Sequence, residues 1–291
     1  MSVRKAVVAG KFYESGAAQC RAHIKQMLGS AQIKEDLPQK IVAGIVPHAG
    51  WAYSGKPAAM VFSAFQRQAV DTFVIFGAVH YARGLMGMLY DRGQWDSPLG
   101  PIEVDEQMAE AIRAEGGKLI EADRNNHSPE HSIEVQVPFI QYLFPDAKIV
   151  PLLVPPSAHS HLVGEAAARA MEKADKQVVC IGSTDLTHYG PSYYYTPMGS
   201  GSKALAWAKE KNDRFFIDQT LSMQAEKLVD IAQTYSNACG SGAAAATVAA
   251  ARQLGAERGY LLAHITSAEV MEEKHGQPGS DSVGYAAIVF G

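Results

Sequence analysis

Ile41-Val42-Ala43-Gly44-Ile45-Val46-Pro47-His48-Ala49-Gly50 and Phe73-Val74-Ile75-Phe76-Gly77-Ala78-Val79-His80 are two apolar runs that each lead directly into a histidine. Hydrophobicity that is continuous rather than alternating marks a strand covered on both faces. The same pattern recurs, so that residues 40–47, 72–78, 148–154, 177–182, 260–265 and 283–290 read as strands. Helical spacing fills the intervals. Residues 54–68 place Ala58, Val61, Phe62 and Phe65 on one stripe, and 105–115, 161–174, 202–216, 222–234 and 242–254 read the same way. Strand and helix alternate from end to end, which predicts a single α/β domain over 1–291, with a central mixed, largely parallel sheet flanked by helices.

The 291 residues suffice for a sizeable core, and 47% hydrophobic with 19% charged residues is the composition of a globular chain. A net charge of −4, from 26 basic and 30 acidic residues, comes with no basic run. Nucleic acid and anionic membranes are therefore not expected as partners; a small molecule, as substrate, or a protein is. The apolar stretch near the start is interrupted by Lys11 and is too short for a signal peptide or a span, so a cytoplasmic protein is expected. Three cysteines, Cys20, Cys180 and Cys239, make no disulfide framework. The segment 191–202 carries glycine, serine and proline but also tyrosines, with Tyr189 just before it, and reads not as a linker but as a packed loop over a site or as a surface loop with aromatic anchors.

Residues at the carboxyl ends of strands in an open α/β sheet face the ligand crevice. His48 and His80 stand there, 32 residues apart, about the length of one βαβ unit, and adjacent parallel strands would set their rings side by side. Cys239 precedes Gly240-Ser241-Gly242 and an alanine-rich helix, where the helix dipole would favour thiolate. Asp185 and His188 follow the strand at 177–182. The carboxylate could orient the imidazole for acid/base work, or Ser183, Thr184 and Asp185 could cap a helix. Glu130 and Glu134, at i and i+4 with His131 near them, read as one charged helical edge, either a solvated face or, given the apolar residues that flank it, an edge turned into a cleft. His23, His127, His159, His161, His264 and His275 have no partner pattern.

Taken together, Pro47-His48-Ala49-Gly50, Gly77-Ala78-Val79-His80, Glu130-His131-Ser132-Ile133-Glu134, Ser183-Thr184-Asp185-Leu186-Thr187-His188 and Cys239-Gly240 resemble, in this order, the Memo family. Its bacterial and archaeal members are called AmmeMemoRadiSam system protein B. Ala9-Gly10-Lys11-Phe12-Tyr13 and Asp281-Ser282-Val283-Gly284-Tyr285 extend the resemblance over nearly the whole chain. The family is similar in fold to class III extradiol dioxygenases, which hold non-haem Fe(II) on two histidines and a glutamate. By position the resemblance implies His48, His80 and Cys239 as metal ligands, with His188 as acid/base group and Asp185 beside it. Tyr53, Glu130, His131 and Tyr189 would then line a substrate site. Tyr81 stands where some relatives carry a second histidine.

The expected cofactor is Fe(II), with Cu or Zn as alternatives because a thiolate replaces the carboxylate. The implied function is a metal-dependent, dioxygenase-like oxidoreductase acting on a small molecule. Two other readings stay open: a metal-free enzyme with Cys239 as nucleophile and His188 as base, and a non-enzymatic metal- or peptide-binding partner protein. The resemblance also implies a functional link to radical-SAM and AMMECR-type proteins.

Overall fold

The structure is a computed structural model that describes residues 2–33, 36–81, 84–277 and 279–291. All six sequence-predicted strands form, within a few residues of the expected ends. They belong to a nine-stranded sheet in the order His188–Tyr189, Ser282–Phe290, Ala43–Val46, Val178–Ser183, Thr72–Gly77, Lys148–Leu153, Gly87–Leu89 and Ile120–Ala122, with Gly259–Thr266 also paired to Ser282–Phe290. The four central strands run parallel, from Ala43–Val46 to Lys148–Leu153. Antiparallel pairs flank them on both sides. Every residue of Ala43–Val46 and Thr72–Gly77 is buried, as continuous apolar runs require.

The two faces of the sheet are covered differently. On one, helices Ala17–Ser30, Trp51–Phe65 and Val137–Leu143 pack large rings, among them Phe62, Phe65, Phe73 and Phe139. On the other lie Glu106–Gly116, Ser160–Glu172 and Ser241–Gln253. The last is buried from Ser241 to Ala251, which explains its alanines: only small side chains let a helix lie this close to both a sheet and a neighbouring helix. No helix among the described residues is long and apolar enough to cross a membrane.

A small second sheet joins Val3–Arg4 to Gln94–Trp95 and Ile102–Glu103. It carries Arg4 into the interior, where the guanidinium pairs with Glu134, donates to the carbonyls of His127 at 3.1 Å and Glu130 at 2.6 Å, and lies 4.3 Å from the Trp95 ring. Glu134 also accepts from the amides of Val7 and Val8 and from the Tyr13 hydroxyl, each at 2.9 Å. Glu130 and Glu134 therefore do not form one charged helical edge. Glu130 precedes the short turn Glu134–Gln136, and the two carboxylates serve different partners. Removing one member of a buried pair strands the other charge. Glu134→Ala should lower the unfolding free energy by about 3–5 kcal/mol in urea titrations. A loss under about 1 kcal/mol would mean the pair behaves as an exposed one.

Candidate metal centre

The strand bearing His48 and the strand bearing His80 are not neighbours. Val178–Ser183 runs between them, parallel to both, and Val46 pairs with Ser183. The imidazoles meet because each lies a few residues past its strand end and leans over the intervening one. Their centroids are 5.2 Å apart. The inserted strand supplies what orients the first ring: its last residue, Ser183, accepts or donates at 2.9 Å to His48 Nδ1. The Ser183 hydroxyl has one proton, and that proton is given to the Ser132 carbonyl at 2.8 Å. His48 Nδ1 must then be the donor, which leaves Nε2 with a bare lone pair. Burial, followed by the nearby His80 and His131, holds His48 well below the usual imidazole range, so the ring is neutral.

His80 is oriented by a carboxylate. Its Nδ1 donates to Glu130 at 2.9 Å, and its amide donates to the other oxygen at 2.9 Å. Glu130 also accepts from the amides of His131 and Ser132. Burial opposes its charge, yet the His80 hydrogen bond and these amides hold the carboxyl well below the usual range. Burial likewise pulls His80 down, but Glu130, helped by Asp185, outweighs it and raises the imidazole. The free ring nitrogen of His80 is again Nε2. This carboxylate–imidazole pair is the arrangement that fixes a metal-ligating histidine. His131 stacks on His80 with centroids 4.9 Å apart and meets Phe12 edge-on.

Cys239 completes the group. Its sulfur lies 3.2 Å from His48 Nε2. The donor atoms of His48, His80 and Cys239 all fall within 4.8 Å of one another. The residue sits just before helix Ser241–Gln253, as expected, and its amide donates to the Asp185 carbonyl at 3.2 Å. Gly240 allows this approach, because a Cβ there would lie 2.3 Å from the Ser183 carbonyl oxygen. The expected thiolate is not what the protein holds at rest. Burial, and then the charge of Asp185, push the thiol above its ordinary value.

Asp185 and His188 are both present, but their relationship differs from the expectation. Asp185 accepts from the His48 amide at 2.7 Å, while His188 Nδ1 donates to the Leu186 carbonyl at 3.0 Å. The carboxylate thus anchors the His48 backbone, and a carbonyl sets the His188 tautomer with Nε2 free. Nor does Ser183-Thr184-Asp185 cap a helix, since an extended segment follows. Burial pushes Asp185 up to about 6, against the pull of His188.

A cleft of about 730 Å³ opens above these groups. His48, His80, His131, Asp185 and His188 reach it, together with Tyr53 and a rim that includes Lys11, Phe12, Tyr193 and Tyr285. Tyr189 does not. It is buried beside Ala204 and Ala208, with its hydroxyl donating to the Gly199 carbonyl at 2.9 Å. Within the tyrosine-rich segment, Tyr193 faces His188 edge-on at 5.0 Å, whereas Tyr194 is 97% exposed. Tyr81 is 64% exposed.

The sequence profile of the Memo-like proteins matches residues 4–289. The chain belongs to the Memo family. A MEMO1 family protein of Pyrobaculum aerophilum is 36% identical, over 100% of this chain and 99% of that protein. One from Pyrococcus furiosus is 33% identical, over 99% of each. Among solved structures, an uncharacterized protein from Escherichia coli K12 superposes with a TM-score of 0.50 at 11% identity, covering 85% of this chain and 99% of that one. The fold is thus a mixed α/β type, shared with that protein.

Sequence reading passed over Ser183 as a ring-orienting group; its signal is a hydroxyl at the last position of a buried strand. Tyr193 lies in the tyrosine-rich segment read as a loop over the site, and Tyr285 ends the late family motif, but neither stands out in the sequence as a cleft residue. Cys20 and Cys180 are buried free thiols, both raised by burial, Cys20 to about 12. Cys239 is the partly exposed one. Iodoacetamide should therefore modify Cys239 before the other two, with a rate rising about tenfold per pH unit between about pH 7 and 9 as thiolate forms. A pH-independent rate at Cys239 would show a thiolate already present.

Proposed function

We propose that this protein is a metal-dependent oxidoreductase acting on a small molecule bound in the cleft above His48, His80 and Cys239. One observation carries the reading. The donor atoms of His48, His80 and Cys239 converge beside a cleft that both histidines line, and both imidazoles have their second nitrogen engaged so that Nε2 is the atom turned to the common point. Three protein donors at a solvent-reachable cleft leave positions open, as catalysis needs and a structural site does not. The donor set suits Fe(II), with Cu or Zn as the softer alternatives that a sulfur ligand favours. Such a metal would supply Lewis acidity and, for iron or copper, one-electron chemistry.

The chain's own groups have separable tasks. His48 is kept neutral by burial and so offers its lone pair without losing a proton. His80 and Cys239 must each give one up, because Glu130 raises the first and burial the second. His188, with Nδ1 on a carbonyl, presents Nε2 to the cleft as a proton acceptor. Asp185, poised at about 6 next to His48, can hold a proton close to the site near neutral pH. Phe12, Tyr53, Tyr193 and Tyr285 give the bound molecule apolar walls. The imidazole against the Cys239 sulfur is His48 rather than His188, so a His188-activated nucleophile lacks its contact.

Anaerobic titration calorimetry with Fe(II) tests the reading. Wild type should bind one equivalent, His48→Ala and His80→Ala none, and His188→Ala one. Ser183→Ala and Glu130→Gln should bind about 10–100-fold more weakly. Unchanged affinity in both His48→Ala and His80→Ala would refute the proposed site. Because protons leave on binding, wild-type affinity should rise at least about tenfold per pH unit between about pH 6 and 8.

A further inference from the structure

The helical segment after residue 201 is not a regular helix. It begins as α over Ser202–Trp207, widens into a π-helix over Ala208–Asp213, and resumes as α over Arg214–Leu221. A π turn in an α-helix costs hydrogen-bond geometry and is retained mostly where it re-aims side chains at a site. Here it ends on two consecutive polar residues, Asn212 and Asp213, both buried. Each binds the loop that carries His188. The Asp213 carboxylate accepts from the Thr187 amide at 2.9 Å, and Asn212 Nδ2 donates to the Thr187 hydroxyl at 3.0 Å. Asn212 also reaches the loop that carries Cys239: its Nδ2 donates to the Tyr235 carbonyl at 3.0 Å, and its backbone carbonyl accepts from Asn237 Nδ2 at 3.0 Å.

The other Asp213 oxygen is held by His264 Nε2 at 3.0 Å. Space for the carboxylate exists only because residue 284 is glycine, where a Cβ would lie 2.0 Å from Asp213 Oδ2. Gly284 in turn exchanges backbone hydrogen bonds with the same loop, accepting from Leu186 at 2.8 Å and donating to Thr187 at 3.1 Å.

We propose that Asn212 and Asp213 are positioning residues, presented by the π turn, which fix the loop of His188 and the loop of Cys239 relative to each other. The proposal rests on the reading of His188 and Cys239 as working groups of one site. Neither Asn212 nor Asp213 touches the cleft; their side chains act through Thr187, one residue before His188, and that of Asn212 also through the Tyr235 carbonyl, four residues before Cys239.

The experiment compares Asn212→Ala, the nearly isosteric Asp213→Asn, and a control, Thr220→Ala. Thr220 is buried on the same helical segment, where its hydroxyl donates only to the Phe216 carbonyl at 2.8 Å. In metal-free protein, Asn212→Ala and Asp213→Asn should change the iodoacetamide rate of Cys239 on the order of tenfold and shift the ring resonances of His188. Thr220→Ala should lower Tm while leaving both signals at wild-type values. With Co(II) as the probe, both positioning variants should also lose intensity in the thiolate-to-cobalt charge-transfer absorption. Wild-type Cys239 rates and His188 resonances in a folded Asp213→Asn or Asn212→Ala protein would overturn the proposal, as would equal changes in Thr220→Ala. Absence of the cobalt–thiolate absorption from the wild type would instead refute the metal reading, while the alkylation and resonance measurements still decide the positioning role.

Discussion

A serine hydroxyl has one proton to give, and at Ser183 that proton is committed to the Ser132 carbonyl. The rest of the site follows from this constraint. His48 must donate through Nδ1, its Nε2 must face the Cys239 sulfur, and burial then keeps the ring neutral. Ser183 can do this because its strand is inserted between those of His48 and His80, and because the chain just past that strand supplies Asp185, which holds the His48 amide. The order of the parallel strands is thus a chemical feature as well as a topological one.

The two histidines are treated unequally. His48 is backed by a neutral hydroxyl and His80 by a buried carboxylate held by backbone amides. Glu130 is surrounded by donors that stabilise its charge at a depth where an unpaired carboxylate would cost several kcal/mol. The segment around residue 130 is itself pinned by Arg4, which binds the carbonyls of His127 and Glu130. A charged group at the beginning of the chain therefore supports His80, a candidate ligand in its first third.

The central strands were legible because full burial leaves an unbroken apolar run, and the long helices because their stripes have a clear period. Short strands such as Gly87–Leu89 and Ile120–Ala122 span too few residues to show either. The candidate ligands were legible as reactive side chains at strand exits and before a glycine turn. Their mutual arrangement was not. Sequence separation suggested neighbouring strands for His48 and His80, whereas a strand more than a hundred residues downstream lies between them. Asp185 looked like the partner of His188 because it is three residues away, but a backbone carbonyl is nearer. Dipole reasoning made Cys239 a thiolate; it omitted the desolvation that a buried sulfur experiences, the largest cause of the raised thiol. The π turn at Ala208–Asp213 leaves no mark in hydrophobic periodicity.

The central claim is that Nε2 of His48, Nε2 of His80 and Sγ of Cys239 share one metal ion. Crystals grown anaerobically with Fe(II), measured on both sides of the iron absorption edge, test it directly. The account predicts a single anomalous peak about 2 Å from both nitrogens and about 2.3 Å from the sulfur, distances of the kind such ligands adopt with first-row metals. A peak among His80, Glu130 and His131 instead, or none at these three donors, would contradict it.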